Sequence, residues 1–246
     1  MFLHILRRLT PKVVKKVIRI VLKEMKRALV FELRKLGYRL DLYPNVNFNQ
    51  HQLKVNSYFT DFFKFIEHVP GVVVECGFGE GSSFLVLASL CSEQDRSITG
   101  FDSFKGFPKP TEEDKSPRNP KKGEWSVRTI EEAKSQIQHF GLNPAYATAK
   151  VDLVAGYVED TLHRNLPREP IALLHIDLDL YSAYKCSLEI LFPLVADGGL
   201  VVFDEYNVKN WPGAKLAVDE YFQDLPYEIT KHSSGKYYVK KQVVKS

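Results

Sequence analysis

The sequence predicts an α/β fold built on a doubly wound, mostly parallel sheet, with a helical extension at its N-terminus. Two observations support the sheet: short runs rich in Val, Ile and Leu alternate with helical patterns, and several of these runs end on an acidic residue. The third observation is the stretch 71–83, in which a β-branched run leads through a glycine turn into a helix. That succession is typical of nucleotide-binding α/β proteins.

The composition is that of one large domain with an appendage. The chain has 246 residues, of which 44% are hydrophobic, so it can bury a full core. Cys76, Cys91 and Cys186 are odd in number and lack metal-like spacing, which argues against a disulfide framework and favours a reducing cytoplasm. No apolar run reaches the roughly eighteen residues of a membrane span, and no signal-peptide core is present, so neither spanning nor secretion is predicted.

The N-terminal extension is strongly basic. Residues 1–39 carry twelve Lys or Arg against two acids, whereas the rest of the chain is net acidic. Apolar residues recur at helical spacing between residues 13 and 36, which predicts a basic amphipathic helix, and we assign residues 1–50 to this helical extension and its connector. The helix is expected to pack on the body or on another subunit of a homo-oligomer; peripheral contact with an anionic membrane surface is the alternative. Nucleic acid is not an expected partner, because the body is acidic and has no base-reading module.

The remaining elements follow in order from residue 51. An aromatic amphipathic pattern over residues 58–66 predicts a helix whose aromatic side chains belong to the core. Strands are predicted at residues 72–74, 97–101, 150–154, from 171 onward and at 199–203, and helices after residue 81 and at residues 126–140. Residues 103–125 contain four prolines and no period, so they form a long loop, and their position after a strand tip makes them a candidate lid.

The glycine turn predicts the ligand site. Glycines at positions 77, 79 and 81 let the backbone approach a ligand, and the helix that begins at Ser82 offers free N–H groups to an anion. The spacing differs from the dinucleotide fingerprint Gly-x-Gly-x-x-Gly. Glu75 precedes the turn, and Asp102 ends the next strand at the matching position, where an acid accepts hydrogen bonds from ribose hydroxyls. The pattern favours a nucleoside site over a turn without a ligand.

Acidic residues end the fourth and fifth predicted strands. Asp177 and Asp179 alternate with apolar residues, so the strand period places both side chains on one side. Asp204 and Glu205 follow the fifth strand, and adjacent parallel strands would bring these carboxylates together. Such carboxylates repel one another, and a hard cation, usually Mg²⁺, relieves that repulsion. The alternative is a set of solvated acids without a metal. His175 is predicted to be a buried strand residue.

Five motifs in this order resemble the macrocin O-methyltransferase family. They are Val-Glu-Cys-Gly-Phe-Gly-Glu-Gly-Ser-Ser, Phe-Asp-Ser-Phe-Lys-Gly-Phe-Pro, Glu-Asp-Thr-Leu, His-Ile-Asp-Leu-Asp-Leu-Tyr-Ser and Gly-Gly-Leu-Val-Val-Phe-Asp-Glu-Tyr, and the resemblance covers about residues 72–222. The family consists of Rossmann-like class I enzymes that use S-adenosylmethionine to methylate sugar hydroxyls. The resemblance implies a seven-stranded sheet, closed by a hairpin near residues 227–239, and a methyltransferase domain over residues 51–246.

The resemblance also implies roles for individual residues. Asp177, Asp204 and Glu205 match the family's metal ligands, and Asp177 also matches its proposed general base; the family often has two aspartates where this chain has Asp204 and Glu205. The matching cofactor-binding residues are Glu75, Gly77, Phe78, Gly79, Gly81, Ser82, Asp102 and Ser103. The implied cofactors are S-adenosylmethionine and Mg²⁺, and the implied partner is a small-molecule sugar or glycoside acceptor.

Three other functions remain open from the sequence. A catechol or another diol would suit the same metal site. A nicotinamide-dependent oxidoreductase would share the strand-turn-helix unit, but the glycine spacing is wrong for it and no Tyr-x-x-x-Lys pair follows the fourth strand. A non-catalytic binding module on a membrane surface would use the basic extension, although the intact acidic cluster argues against lost catalysis.

Overall fold

The computed structural model describes residues 50–242, with side chains from residue 53 onward. The predicted basic helix within residues 1–39 and most of the predicted connector lie outside the described residues. Among the helices of residues 50–242, none combines the length and the apolar content that a membrane span requires.

A seven-stranded sheet forms the centre of the described part of the chain. Its strands are β1 Val72–Cys76, β2 Ile98–Asp102, β3 Val151–Ala155, β4 Ile171–Ile176, β5 Val195–Phe203, β6 Ile229–Lys231 and β7 Tyr237–Lys240, in the order β3-β2-β1-β4-β5-β7-β6. β1 to β5 are parallel, and β7 pairs antiparallel with both β5 and β6. The predicted α/β class and seven strands are confirmed. Strand order changes direction between β1 and β4, where such folds bind ligands at the carboxyl ends.

Helices cover both faces of this sheet. They are α1 Gln50–Phe65, α2 Ser82–Glu93, α3 Ile130–His139, α4 Pro144–Lys150, α5 Val158–Thr161, α6 Tyr181–Leu191 and α7 Pro212–Phe222, with 3₁₀ turns at Glu112–Asp114, Leu162–Arg164 and Phe192–Leu194. All five residues of β1 are buried, and alternate side chains enter different cores: Val73 packs with α1 and α2, whereas Val74 packs with α6 and α7. Burial on both faces explains why the parallel strands appear in the sequence as unbroken apolar runs.

One helix starts later than predicted, and one helix was not predicted; capping residues explain both differences. α3 begins at Ile130 rather than residue 126, since Thr129 is its N-cap and forms a capping box with Glu132, with bonds of 3.2 and 3.1 Å. α4 was not predicted at all. Asn143 caps it by accepting the N–H of Ala145 at 2.9 Å, and a proline occupies its first turn. The Asn-Pro pair is the signal that would have revealed it.

β5 is longer than predicted because it contains a bulge. The sequence placed the strand at residues 199–203, whereas it begins at Val195. The register with β4 shifts between the pairs Ile171↔Val195 and Leu173↔Leu200, and Gly198, with φ 81°, lies inside the bulge. A bulge that takes up extra residues keeps both ends of the strand paired.

Candidate functional site

A cavity of about 430 Å³ lies at the carboxyl ends of β1, β2, β4 and β5. The glycine turn after β1 and the end of β2 form one part of its wall, and the acids after β4 and β5 form another. Of the predicted site residues, those that line it are Gly77, Phe78, Gly79, Ser82, Asp102, Ser103, Asp177 and Asp204. The two predicted centres therefore belong to one cavity.

The glycine turn contacts the β4 loop closely. Gly77 has φ 104°, and a Cβ at this position would lie 1.8 Å from the carbonyl oxygen of Asp177, so no other residue fits there. Gly81, with φ 82°, is the N-cap residue of α2 and has no part in the cavity wall. The turn therefore fixes the distance between the predicted cofactor site and the predicted base.

Asp102 ties the end of β2 to the same turn. One of its carboxylate oxygens accepts the N–H groups of Phe78 and Gly79, both at 2.9 Å, and the other accepts the N–H of Phe104 at 2.6 Å. A carboxylate oxygen can accept more than one hydrogen bond, and among the described residues Oδ1 accepts only that of Phe104, so Asp102 keeps acceptor capacity for a ligand. Ser103 lies beside it on the wall, and its hydroxyl donates to Gly106 O at 2.8 Å.

The position of Glu75 differs from the one predicted for the cofactor site. It pairs with Gly100 in the sheet and not with Asp102, so the two acids do not occupy matching positions. Its side chain is fully buried, does not line the cavity, and accepts a hydrogen bond from His175 Nδ1 at 2.8 Å. Burial raises the pKa of Glu75, and the bond from His175 offsets part of that effect. Glu75 belongs to the interior behind the site.

His175 is the functional-site neighbour that the sequence analysis missed. It is fully buried as predicted, but it lies between two acids, with Nδ1 on Glu75 and Nε2 3.7 Å from Asp204 Oδ1. Burial lowers the pKa of His175, yet the nearby Asp204 and Glu75 outweigh it and raise the pKa to about 9. Glu75 and His175 are direct partners in the register of β1 and β4. The sequence alone does not give this register, so it could not reveal the contact.

The acidic side chains converge, but the three predicted metal ligands, Asp177, Asp204 and Glu205, do not form a single group. Asp177, Asp179 and Glu205 bring ligand atoms within 4.8 Å of one another, and His175, Asp177 and Asp204 form a second such group. Asp177 belongs to both, whereas Asp204 and Glu205 fall into different groups. Glu205 is only 4% exposed and does not line the cavity.

The proximity of Asp177 and Asp179 does not come from strand alternation. β4 ends at Ile176, and Asp179 has φ 62°, a left-handed conformation that an extended strand never contains. Asp177 N still donates to Cys76 O at 2.8 Å, so the sheet positions the first acid and a tight turn positions the second.

Two other contacts hold the acids after β5. The Tyr184 hydroxyl, from α6, donates to Glu205 Oε2 at 2.5 Å. The ammonium group of Lys236, in the turn before β7, pairs with the carboxylate of Asp204. Each acid is therefore fixed by an element that comes from elsewhere in the chain.

The pKa values of the cluster show that its carboxyl groups do not all ionise readily in the metal-free protein. Burial, followed by the charge of Asp204, raises the pKa of Asp177 to about 7, and burial, followed by Asp177, raises the pKa of Asp179 to about 8. Burial and Asp177 also raise the pKa of Glu205 well above its usual value. For Asp204 burial acts in the same direction, but His175 and Lys236 hold its pKa well below the ordinary range. A bound cation would remove most of this conflict.

The aromatic residues of α1 divide between core and cavity. Phe59, Phe62 and Phe63 are buried as predicted. Tyr58, in contrast, lines the cavity, and burial followed by the charge of Asp204 raises its pKa. Tyr58 is nevertheless buried in the same core as its neighbours, as predicted, whereas Phe65 departs from the prediction because it is 44% exposed.

The family model for macrocin O-methyltransferases (TylF) matches residues 62–231, which include all the cavity-lining residues except those of α1. The chain belongs to this macrocin O-methyltransferase family. The resemblance found in the sequence motifs is thereby confirmed.

Several relatives support the family membership. The chain is 29% identical over 161 residues to demethyldecarbamoylnovobiocin O-methyltransferase of Streptomyces niveus, covering 63% of this chain and 59% of that protein. It is 28% identical over 166 residues to mycinamicin III 3''-O-methyltransferase of Micromonospora griseorubida, covering 62% of this chain and 61% of that protein. The chain thus spans about three-fifths of the length of these curated relatives.

Two solved structures of O-methyltransferases resemble this one. The calicheamicin methyltransferase CalS11 has a TM-score of 0.67 and 26% identity, with 78% of this chain and 80% of that chain covered. The O-methyltransferase NovP has a TM-score of 0.66 and 25% identity, with 77% and 80% covered. The fold of this macrocin O-methyltransferase family member is therefore the Rossmann-like class I methyltransferase fold.

Proposed function

We propose that this protein is an S-adenosylmethionine-dependent O-methyltransferase that acts on a hydroxyl of a sugar or glycoside. One observation carries the proposal: a single cavity has the glycine turn and Asp102 in one part of its wall and a carboxylate cluster in another. The relatives support the acceptor class, because the names of those from Streptomyces niveus and Micromonospora griseorubida describe O-methyltransferases of natural products and that of CalS11 describes a calicheamicin methyltransferase.

The residues at the first part of the wall suit S-adenosylmethionine. Asp102 offers acceptor capacity for ribose hydroxyls, and Gly79 leaves open space for a ligand where a Cβ would stand. Ser82 and Ser103 add hydroxyl groups on the same wall. When bound, this cofactor supplies a methyl group on a sulfonium.

The carboxylate cluster suits Mg²⁺. Its donors are oxygens, the ligands that Mg²⁺ prefers, and burial, followed by repulsion between the carboxylates, raises the pKa values of Asp177 and Glu205, which a cation would counteract. Asp177 would be the shared ligand, with Asp204 and Glu205 as the further predicted ligands and Asp179 as an additional candidate. A bound Mg²⁺ lowers the pKa of a coordinated hydroxyl and orients a vicinal diol.

Asp177 is the proposed base. It lines the cavity and belongs to both groups of converging side chains, so it lies where an acceptor hydroxyl beside the cluster can transfer its proton. Asp177 would take the proton of the acceptor hydroxyl, and the bound cofactor would supply the methyl group to that oxygen. His175 and Lys236 keep the neighbouring Asp204 ionised, so its charge favours a cation over a second proton.

A labelled-methyl transfer screen tests this function. Glycosides, free sugars and catechols are incubated with labelled S-adenosylmethionine, with and without Mg²⁺, and calorimetry compares S-adenosylmethionine with NAD. We expect transfer to sugar hydroxyls that needs the metal, and binding of S-adenosylmethionine but not NAD. Transfer only to catechols would reassign the acceptor, and chelator-resistant activity would remove the metal from the proposal.

We further infer that the protein works in the cytoplasm as a homo-oligomer, with the basic extension packed on protein or in peripheral contact with a membrane. The free state of Cys76, Cys91 and Cys186 is compatible with a reducing compartment. Co-sedimentation with anionic vesicles, with and without residues 1–39, distinguishes the two placements of the extension.

A further inference from the structure

Trp125 is an exposed aromatic residue in a strained backbone conformation. Its φ is 64°, a left-handed value that bulky residues rarely adopt, and 54% of its surface is exposed. It lines the cavity that also contains Asp177 and Asp179. A strained backbone costs stability, and such strain is concentrated at ligand-binding positions. These features indicate a contact with a ligand.

The backbone of the candidate lid sets the position of Trp125. Phe107 N donates to Glu124 O at 2.9 Å, and Gly123 N donates to Phe107 O at 3.0 Å, so the two arms of the loop are joined directly before Trp125. Gly106, with φ 77°, makes this possible, because a Cβ there would lie 2.2 Å from Glu124 O. The residue that carries the indole is therefore placed by hydrogen bonds that do not involve its side chain.

Three neighbours orient the indole itself. Its ring lies 5.2 Å from the ring of Phe107 and 5.5 Å from that of Trp211, which is 8% exposed. The Arg118 guanidinium lies 5.2 Å from the Trp125 ring and pairs with Glu124 at 2.6 Å. The ring is held in place while more than half of the residue remains available to a ligand.

The composition of the cavity indicates what this ligand is. The wall of the cavity combines the apolar residues Phe107, Pro108 and Val127, of which Phe107 packs against the Trp125 ring, with the carboxylates of Asp177 and Asp179. A pyranose has matching surfaces, since its C–H face is slightly positive and fits the negative face of an aromatic ring, and its hydroxyl edge suits carboxylates or their metal. We propose that Trp125 is the platform on which the pyranose ring of the acceptor stacks. This inference rests on the proposed function and adds the residue that selects the ring.

Tryptophan fluorescence gives a direct test, because the chain has two tryptophans, Trp125 and Trp211. In the Trp211→Phe variant, emission comes from Trp125 alone. The probes are methyl hexopyranosides and methyl 6-deoxyhexopyranosides, added to full-length protein with S-adenosylhomocysteine and Mg²⁺. We expect a saturable change in emission with at least one pyranoside. Butane-2,3-diol, which has the vicinal hydroxyls but no ring, should produce none.

Variants at position 125 then distinguish the contribution of the indole ring to binding from that of the strained backbone. Trp125→Ala and Trp125→Gly should weaken pyranoside binding about tenfold in calorimetry, as expected for the loss of one stacking platform, and Trp125→Phe should retain most of it. Glycine tolerates φ 64°, so agreement between the two small variants assigns the loss to the indole. S-adenosylhomocysteine affinity should be unchanged in all three variants.

Several results would overturn the platform. They are a wild-type protein that binds no pyranoside, a Trp125→Ala variant that binds pyranosides normally, and a loss confined to glycosides with a large apolar aglycone. The labelled-methyl assay keeps this failure separate from failure of the proposed function. Sugar methylation by Trp125→Ala with an unchanged KM would support the proposed function and contradict the platform. A wild-type protein that binds pyranosides through Trp125 but methylates none would support the platform and contradict the proposed function.

Discussion

At the scale of single residues, Asp177 is the most informative position, since it belongs to both groups of converging side chains and lines the cavity. Replacing Asp177 with Asn removes the proposed base and keeps the shape, so we expect kcat to fall by a factor of about 10²–10⁴. S-adenosylhomocysteine affinity, measured by calorimetry, should not change. The control is Asp197→Asn, an exposed acid in the β5 bulge, which should leave both quantities unaltered. Turnover at the wild-type rate in Asp177→Asn would remove this residue from the role of base.

Glu75 provides the opposite test. Because its side chain contacts His175 inside the sheet and not the cavity, Glu75→Gln should lower the free energy of unfolding by about 1–3 kcal/mol, as expected when a buried charged partner is lost. Calorimetry should find S-adenosylhomocysteine affinity nearly unchanged. An unaltered melting temperature together with a large loss of affinity would place Glu75 at the cofactor after all.

The residues that the sequence predicted well are those whose role follows from local chemistry. Glycines at positions 77 and 79 and Asp102 lie where the strand-turn-helix pattern places them, because a tight turn and a strand end are local properties. Glu75 and His175 were misjudged because their partnership depends on which residues of β1 and β4 lie side by side. No local pattern contains that information.

At the scale of elements, the candidate lid is anchored to α6 by one buried residue. Asp114, 3% exposed, accepts the N–H of Tyr181 at 2.8 Å, and α6 has no side-chain cap of its own. We expect Asp114→Ala to lower the free energy of unfolding by about 1–2 kcal/mol, the usual effect of a lost helix cap, and to speed proteolysis within residues 103–125. The exposed neighbour Glu113→Ala is the matched control. Equal cleavage rates in both variants would mean that Asp114 does not anchor the loop.

The sequence identified this loop from its prolines but not its anchors. Asp114 and Tyr181 are far apart along the chain, and an isolated Glu-Glu-Asp sequence gives no indication of a distant partner. The same limit applies to Ser116, whose hydroxyl donates to Asn210 O at 2.9 Å. Helix starts, in contrast, were recoverable from capping residues such as Thr129 and Asn143.

At the scale of the whole molecule, the sheet brings acids from β4 and β5 to one edge, and this convergence opposes folding at high pH. Asp177 and Asp179 have folded pKa values of about 7 and 8, above their ordinary value, so the folded state holds protons that the unfolded state has released. The raised pKa of His175, about 9, acts in the same direction. Stability of the metal-free protein should therefore fall between about pH 5.5 and pH 8.

Thermal unfolding with chelator or with Mg²⁺ checks this expectation. Mg²⁺ should raise the melting temperature more at pH 8 than at pH 5.5, because at the lower pH protons already neutralise the cluster and compete with the cation. In Asp177→Asn the gain at pH 8 should shrink. A melting temperature that rises with pH, or an equal effect of Mg²⁺ at both values, would contradict a cation site formed by these acids.

The overall architecture was predictable because burial on both faces makes the central strands β1 and β4 largely apolar runs, and the turn after β1 identifies the class of fold. The order of strands and the insertion of β7 beside β5 were not available from periodicity, which reports exposure but not neighbours. The family resemblance supplied the closing hairpin.

The backbone pairing of Phe107 with Gly123 and Glu124 has a consequence for enzyme engineering. Because the two arms of the loop are joined there, the segment between them is a cassette whose ends meet. Exchanging that cassette with the equivalent loop of a relative, with Asp114 kept as the anchor of α6, changes the cavity wall at Pro108 without altering Gly77 or Asp102. New acceptor preferences could then be selected from loop libraries while the methyl-donor side of the protein stays constant.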